Sequence, residues 1–504
     1  EFTTIELYEA YGDLSSMMKI TEGIIRFAAK KLGDKTEFMD IFNPEGEKID
    51  ISKPFRVVTM CDMIKEYVGI DFKNNHYTLD EAKELAAKHN IKVEKHFTVG
   101  HIIDAFFETS SGFTTTGASI LTEIESLPRG ILFWRSFTHW IGGMGVLVFL
   151  LALLPMTGGS HMNIMKAESP GPSVDKLLPK VRHTAFVLYA IYTTLTITEF
   201  IFLLFGGMSV FDAINISAGT AGTGGFAILN DSMASYSPYI QWVVGIFMML
   251  FGVNFSFYFL LLMRRFRQAL GFEEVRNYIL VIISATTLIM LSFWHSGALM
   301  DMPFWDKLRH AFFQVSSIIT TTGFSTIDYD YPKWPMLTNI VIIAIMFVGA
   351  CAGSTGGGIK VSRVTMLFKT VKKELTLFFH PSRVVNIKSE KKPVALDTIR
   401  LTNTFIIAYI FIFVISVMII AIDNYDFITT FTAVAATINN IGPGLGMAGP
   451  TESFAPFSYL SKWTMIFDML AGRLEIYPML VLLTTEFWRS IFSPSKIIKH
   501  IRKL

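Results

Sequence analysis

From His101 to the C-terminus the chain repeats one four-part unit: an amphipathic stretch, a Thr/Gly-rich turn, a short polar loop and a long apolar run. A period near one hundred residues constrains the fold more than any single motif, because equivalent units must pack in equivalent ways. The turns read Thr114-Thr115-Thr116-Gly117-Ala118-Ser119, Gly222-Thr223-Gly224-Gly225-Phe226-Ala227, Thr320-Thr321-Thr322-Gly323-Phe324-Ser325 and Asn439-Asn440-Ile441-Gly442-Pro443-Gly444. The glycines taken as equivalent, Gly117, Gly224, Gly323 and Gly442, are 107, 99 and 119 residues apart. The stretches before the turns cover 104–113, 211–221, 306–319 and 425–438. A spanning helix needs roughly 20 apolar residues, so these are expected to be re-entrant half-helices. Full spans are expected over 131–154, 184–205, 239–263, 278–294, 337–350, 402–422 and 463–487.

Composition then separates two regions. Of the first 100 residues 32 are charged, against 54 of the remaining 404, and 51% of the whole chain is hydrophobic. A soluble-type segment therefore precedes an integral membrane protein. The net charge of +2 excludes a strongly basic nucleic-acid binder, and no nucleic-acid partner is expected. Cys61 and Cys351 are too few for a disulfide framework and read as free thiols. The first 20 residues are too polar for a signal peptide. Lys and Arg orient the rest: segments after the second span of each unit carry 23 basic residues, and segments after the turns only Arg129, Lys333 and Lys462. By the positive-inside bias the turns open to the outside.

Four half-helices ending at one axis aim their carbonyl ends, the negative pole of the helix dipole, at its centre, which favours a desolvated cation. Glycine suits a turn whose carbonyls all face inward, because such backbone visits positive φ. The alternative is that Thr-Gly pairs merely interrupt packed helices, but four in register oppose it. A second constellation, Gly349, Gly353, Ser354, Thr355, Gly356, Gly357 and Gly358, cannot stay helical, since each glycine costs about 1 kcal/mol against alanine. It reads as a packing kink or, better, as a flexible intramembrane loop that gates the pore. Arg473 lies inside the last apolar run, where an ionisable residue is a functional candidate by default, or else half of a structural ion pair. His139, Trp140, Glu199 and Asn254 read as helix–helix hydrogen-bonding groups. No metal-ligand spacing and no Walker, Rossmann or nucleophile-elbow pattern occurs, so no cofactor is expected.

The motifs 111–119, 316–325, 350–360 and 439–444 occur together and in order, and over roughly 400 residues the chain resembles the Trk/Ktr/HKT potassium transporter superfamily, in its bacterial TrkH branch. The resemblance implies a mainly α-helical membrane protein of four pseudo-symmetric helix–loop–helix repeats around a pore. It implies a potassium filter from Thr115, Thr116, Gly117, Gly222, Thr223, Gly224, Thr321, Thr322, Gly323, Asn440, Ile441 and Gly442, with looser selectivity than a potassium channel. It further implies a gate from Gly353, Ser354, Thr355, Gly356, Gly357 and Gly358, with Arg473 as an electrostatic barrier below the filter. Lys360 either assists the gate or marks the cytoplasmic boundary. Partners implied are the lipid bilayer of a bacterial inner membrane, potassium ions, a second copy and a cytosolic nucleotide-binding regulatory ring, and the basic run 360–400 is compatible with docking that ring.

The expected organisation is a soluble α+β segment over 1–100 and repeats over 101–183, 184–277, 278–400 (gate loop 349–360) and 401–504. No apolar run of even 12 residues precedes Asp104, so repeat one is expected to lack its first helix. Residues 1–12, 53–60 and 93–100 resemble class II lysyl-tRNA synthetase, which implies lysine contacts for Glu6 and Tyr8. Its ATP-binding motifs are absent, so no enzyme activity is expected. The segment 101–108 suits both families and reads as a splice point. The competing readings are a lysine- or tRNA-related enzyme fragment and an inactive chimeric product.

Overall fold

The computed structural model describes residues 37–38, 49–50, 99–145, 181–299, 301–330, 334–389, 392–474, 476–482 and 484–485. The chain divides into two compact units, Glu1–Phe97 and Thr98–Leu504. Among the described residues of the first, β1 (Glu37–Phe38) pairs antiparallel with β2 (Ile49–Asp50), Glu37 opposite Asp50. The helices expected at 5–32 and 79–89 and the extended piece at 55–59 lie outside the described residues.

The second unit is helical. In chain order its main elements are α1 (Val99–Phe113), α2 (Arg129–Met144), α3 (Val181–Phe205), α4 (Val210–Gly222), α5 (Pro238–Phe251), α6 (Phe255–Leu262) and α7 (Glu273–Ser296). Then come α8 (Phe304–Ile319), α9 (Met336–Met346), α10 (Val361–Phe379), the hairpin of β3 (Lys388–Ser389) with β4 (Lys392–Pro393), α11 (Leu396–Ile420), α12 (Phe427–Ile438), α13 (Tyr459–Arg473) and α14 (Ile476–Leu482). The half-helices α1, α4, α8 and α12 have 12 to 16 residues. At 1.5 Å per residue that is roughly 18–24 Å, short of a hydrocarbon layer of about 30 Å. Local chemistry starts two of them: Ser209 and Asp426 are N-caps whose side chains accept from the amides of Asp212 and Thr429.

Among the described residues three uninterrupted helices are long and apolar enough to cross a membrane: Thr184–Phe205, Glu273–Ser296 and Leu396–Asp423. The other runs expected as spans do not continue as single helices. The run 239–263 bends by 90° between α5 and α6, where Asn254 caps α6 and the Phe255 amide bonds Gly353 O of another element at 3.0 Å. Asn254 is thus a cap rather than the expected helix–helix bridge. The run 337–350 stops at Met346 and enters the glycine-rich loop, and 463–487 ends its first helix at Arg473. In 131–154, α2 ends at Gly145 with φ 82°. Hydropathy measures burial in lipid and is blind to a helix broken where its backbone finds partners elsewhere, and this is the reason for the difference.

Among the described residues the core forms two apolar clusters. One gathers side chains mainly of repeats three and four, with Phe107 and Ala118 of repeat one and Val253 and Val275 of repeat two. The other is built mainly from repeat two. In the larger cluster the fully buried Trp334 meets Phe293 edge to face at 4.9 Å, a favourable aromatic geometry.

Candidate ion-conduction site

Each half-helix ends in the same way. The amides of Thr116, Gly224, Thr322 and Ile441 bond the carbonyls five residues back, at Ser111, Gly219, Ser317 and Ala436, over 2.8–2.9 Å. Those of Thr115, Thr223, Thr321 and Asn440 bond three back at 3.0–3.2 Å. This is the Schellman pattern, which places its C′ residue in left-handed backbone. Here C′ is Thr115, Thr223, Thr321 or Asn440, with φ of 53–58°. Three are β-branched, for which that conformation is an outlier, and such strain persists only where surroundings over-determine it.

Two residues further on, Gly117, Gly225, Gly323 and Gly442 have φ of 77–98°. This backbone register corrects the alignment of repeat two: the glycine equivalent to Gly117 is Gly225, one position beyond Gly224. Gly222 matches Thr114, Thr320 and Asn439 at the helix end, and Gly224 matches Thr116, Thr322 and Ile441. With Gly-Gly at 224–225, counting glycines does not settle the register, but the shared Gly-Phe of 225–226 and 323–324 carried a signal for it.

The four turns close into a ring. A Cβ added to Gly117 would strike the carbonyl oxygen of Gly224, one on Gly225 that of Thr322, one on Gly323 that of Ile441, and one on Gly442 that of Thr116. The order runs from repeat one to two, three, four and back to one. Only glycine lets adjacent quadrants approach so closely. Asn440 Nδ2 also bonds Thr116 Oγ1 at 3.0 Å, tying quadrant four to one. The outer loops follow the same cycle: Ile124 N to Asn230 Oδ1, Met233 N to Ser325 O, Gly446 N to Asp330 Oδ2 and Phe454 N to Ser119 O, at 2.7–2.9 Å.

The glycine-rich loop between α9 and α10 lies against these helix ends. Its neck is closed by Gly349 N to Ile359 O (2.7 Å) and Val361 N to Ala350 O (3.2 Å). At its tip Gly357 N donates to Thr321 Oγ1 at 2.6 Å, and a Cβ on Gly356 would meet the Thr320 carbonyl. Gly353 and Gly358 have positive φ, and Ser354 Oγ bonds Cys351 O at 2.7 Å. Thr355 is buried and bonds Phe251 O through Oγ1 at 3.3 Å. Lys360 is buried, its ammonium turned back on the carbonyls of Gly356 and Gly357. Arg473 donates to Thr355 O (2.8 Å), Gly142 O (2.6 Å) and Gly143 O (2.7 Å), joining repeats four, three and one. A cavity of about 20 Å³, with Gly356, Lys360, Tyr409 and Arg473 in its wall, adjoins the loop. That is room for about one water.

The family model for TrkH, cation transport protein, matches residues 63–490. The chain belongs to the TrkH family. It is 39% identical over 395 residues to the Trk system potassium uptake protein TrkH of Escherichia coli, covering 77% of this chain and 80% of the relative. The corresponding protein of Halomonas elongata is 36% identical over 389 residues, with 77% and 79% covered. Among solved structures, the crystal structure of the potassium transporter TrkH from Vibrio parahaemolyticus matches with a TM-score of 0.67 and 33% identity, covering 77% and 79%. The TrkH match begins at residue 63, inside the stretch read as synthetase-like, and none of these comparisons supports that second resemblance. Glu6 and Tyr8 lie outside the described residues.

Ion pairs brace this TrkH-family ring in ways the sequence reading missed. Arg135 pairs with Glu108 at 2.8 Å and caps the Phe226 ring at 4.1 Å. Lys462 pairs with Asp104 at 2.7 Å, joining α13 to the first half-helix. His139, expected to bridge helices by hydrogen bonds, instead stacks on Phe226 at 4.2 Å, and neither ring nitrogen has a partner among the described residues. Its ring fills the space that a side chain on Gly224 would need. Trp140 does bridge, through Nε1 to Thr196 Oγ1 at 3.4 Å. Charge and aromatic character marked these residues in the sequence, but pairings across tens to hundreds of positions leave no local pattern. Cys351 is a buried free thiol. Among the described residues no group of His, Cys, Asp or Glu could hold a metal ion.

Proposed function

We propose that the chain mediates potassium uptake across a bacterial inner membrane, passively, through one pore enclosed by its four repeats. The observation that carries this reading is the closed ring, in which each quadrant's glycine is seated against the next quadrant's carbonyl. Carbonyls of Thr115, Thr116, Gly117, Thr223, Gly224, Gly225, Thr321, Thr322, Gly323, Asn440, Ile441 and Gly442 replace the ion's hydration shell, helped by the carbonyl ends of four half-helices. The potassium uptake proteins similar over most of this chain support the choice of ion. The loop 349–360 gates entry to the cytoplasm, and Arg473 is a fixed positive charge that opposes cation passage until the loop moves.

The chain acts as a homodimer and docks a cytosolic nucleotide-binding ring on the basic run 360–400; the cationic α10 and the β3–β4 hairpin there support that surface. Sizing the complex in detergent with and without the ring tests it, and a monomer that ignores the ring refutes it. The first hundred residues add no aminoacylation; lysine-dependent ATP–pyrophosphate exchange above background would overturn that.

Uptake is tested by expression in a strain lacking its own potassium uptake systems, on low-potassium medium. Growth rescue is expected, and no rescue with the protein in the membrane counts against the function. Gly323→Ser in the same cells is expected to erode discrimination against sodium, whereas unchanged preference sinks the filter assignment.

A further inference from the structure

The two ends of the gate loop meet at one carboxylate oxygen. Glu274, in the first turn of α7, accepts the amide of Ala352 at 2.7 Å and the amide of Ser362 at 3.1 Å, both on Oε1. Ser362 stands in the first turn of α10, whose leading amides have no partner within their own helix. The N-cap position there is Lys360, whose ammonium can only donate and so cannot accept a helix amide; it is turned on the loop carbonyls instead. Glu274 therefore caps α10 from another helix, and the same oxygen holds the start of the loop. An anionic acceptor also suits the positive end of the α10 dipole.

The tip and the neck of the loop are thus held by different parts. The tip rests on Thr321 of the filter and on Arg473. The neck is held by its own two backbone bonds, by Glu274, and on its leading side by Cys351 N to Gly252 O and Phe255 N to Gly353 O, both at 3.0 Å. Swinging the tip away requires the residues on both sides of the neck to rotate, and Glu274 resists this at Ala352 and Ser362 together. We propose that Glu274 is a positioning residue of the gate, a clasp that holds the loop 351–360 closed beneath the filter and sets the resting rate of ion passage. This rests on the reading of the loop as the gate. Glu274 bonds the two ends of the loop and, among the described residues, no residue of the filter, so its removal acts through the loop.

The test is rubidium flux into proteoliposomes holding the full-length chain, comparing the parent with Glu274→Ala, Glu274→Gln and Arg473→Ala. Charge-assisted bonds of this kind are the strong ones, so Glu274→Ala is expected to raise resting flux about tenfold. Glu274→Gln keeps an acceptor oxygen and is expected within about threefold of the parent. Potassium-over-sodium preference stays at the parental value in both, a result that a general loosening of the pore does not give. Amide hydrogen exchange at Ala352 and Ser362 is expected to speed up in Glu274→Ala and far less in Glu274→Gln. If Glu274→Ala does not fold, faster exchange at these two amides in Glu274→Gln than in the parent carries the proposal, and equal exchange overturns it. Parental flux in Glu274→Ala beside raised flux in Arg473→Ala overturns the clasp and leaves the gate standing. Parental flux in both overturns the two together.

Discussion

The ring of four turns and the loop between α9 and α10 are both glycine-rich, both irregular and packed against each other, yet they are built on opposite plans. The ring uses one glycine at one backbone register in each quadrant, with φ of 77–98°, and each faces a neighbouring carbonyl. The loop exists once, in repeat three, and is held by Phe251 of repeat two, Thr321 of its own repeat and Arg473 of repeat four, which in turn grips Gly142 and Gly143 of repeat one. Fourfold repetition suits a coordination shell, which must present equivalent oxygens around an ion. A gate needs one element able to move while the others stay fixed, and a single asymmetric loop meets that need.

The largest expected effect breaks the ring. Gly225→Ala forces a Cβ into left-handed backbone and onto the Thr322 carbonyl, a combined cost of about 3 kcal/mol or roughly a hundredfold in uptake. Gly224→Ala meets the His139 ring instead, so the added mutation His139→Ala should restore uptake to Gly224→Ala and leave the loss in Gly225→Ala unchanged. Equal behaviour of the two in uptake assays would undo the register given for repeat two.

Next in size, Arg473→Ala is expected to raise ion flux about tenfold with unchanged potassium-over-sodium preference, since it removes a barrier and not a ligand. A changed preference would place Arg473 functionally with the ring. Gly357→Ala sets a methyl against the Asn439 carbonyl and Asn440, and overpacking of about 1 kcal/mol should lift the loop and increase flux roughly fivefold in the same liposomes. The smallest effect belongs to Lys369→Ala on α10. Its partly exposed pair with Glu273 at 2.6 Å should cost at most about 0.5 kcal/mol, read as a small fall in Tm with uptake intact.

The glycine-rich segments and the apolar runs were legible because they obey local rules. Four turns at a period near one hundred residues announce four equivalent units, and stretches too short to cross a bilayer announce half-helices. The loop was legible because so many glycines cannot remain helical. Continuous spans were over-read at 239–263 and 463–487, where the breaks depend on partners: Gly353 takes the Phe255 amide, and Arg473 turns to carbonyls of two other repeats.

By itself the sequence determined the membrane character of residues beyond 100, the number and place of the four turns and the glycine-rich segment that leaves helical backbone. These follow from hydropathy, helix length and the backbone freedom of glycine, all properties of contiguous residues. Only the tertiary structure decided which glycine of repeat two belongs to the ring, that the four turns close upon one another, and that Glu274 reaches across to cap α10. Those facts rest on contacts between residues far apart in the chain, where the carbonyl of one quadrant or the carboxylate of another helix supplies what the local sequence lacks.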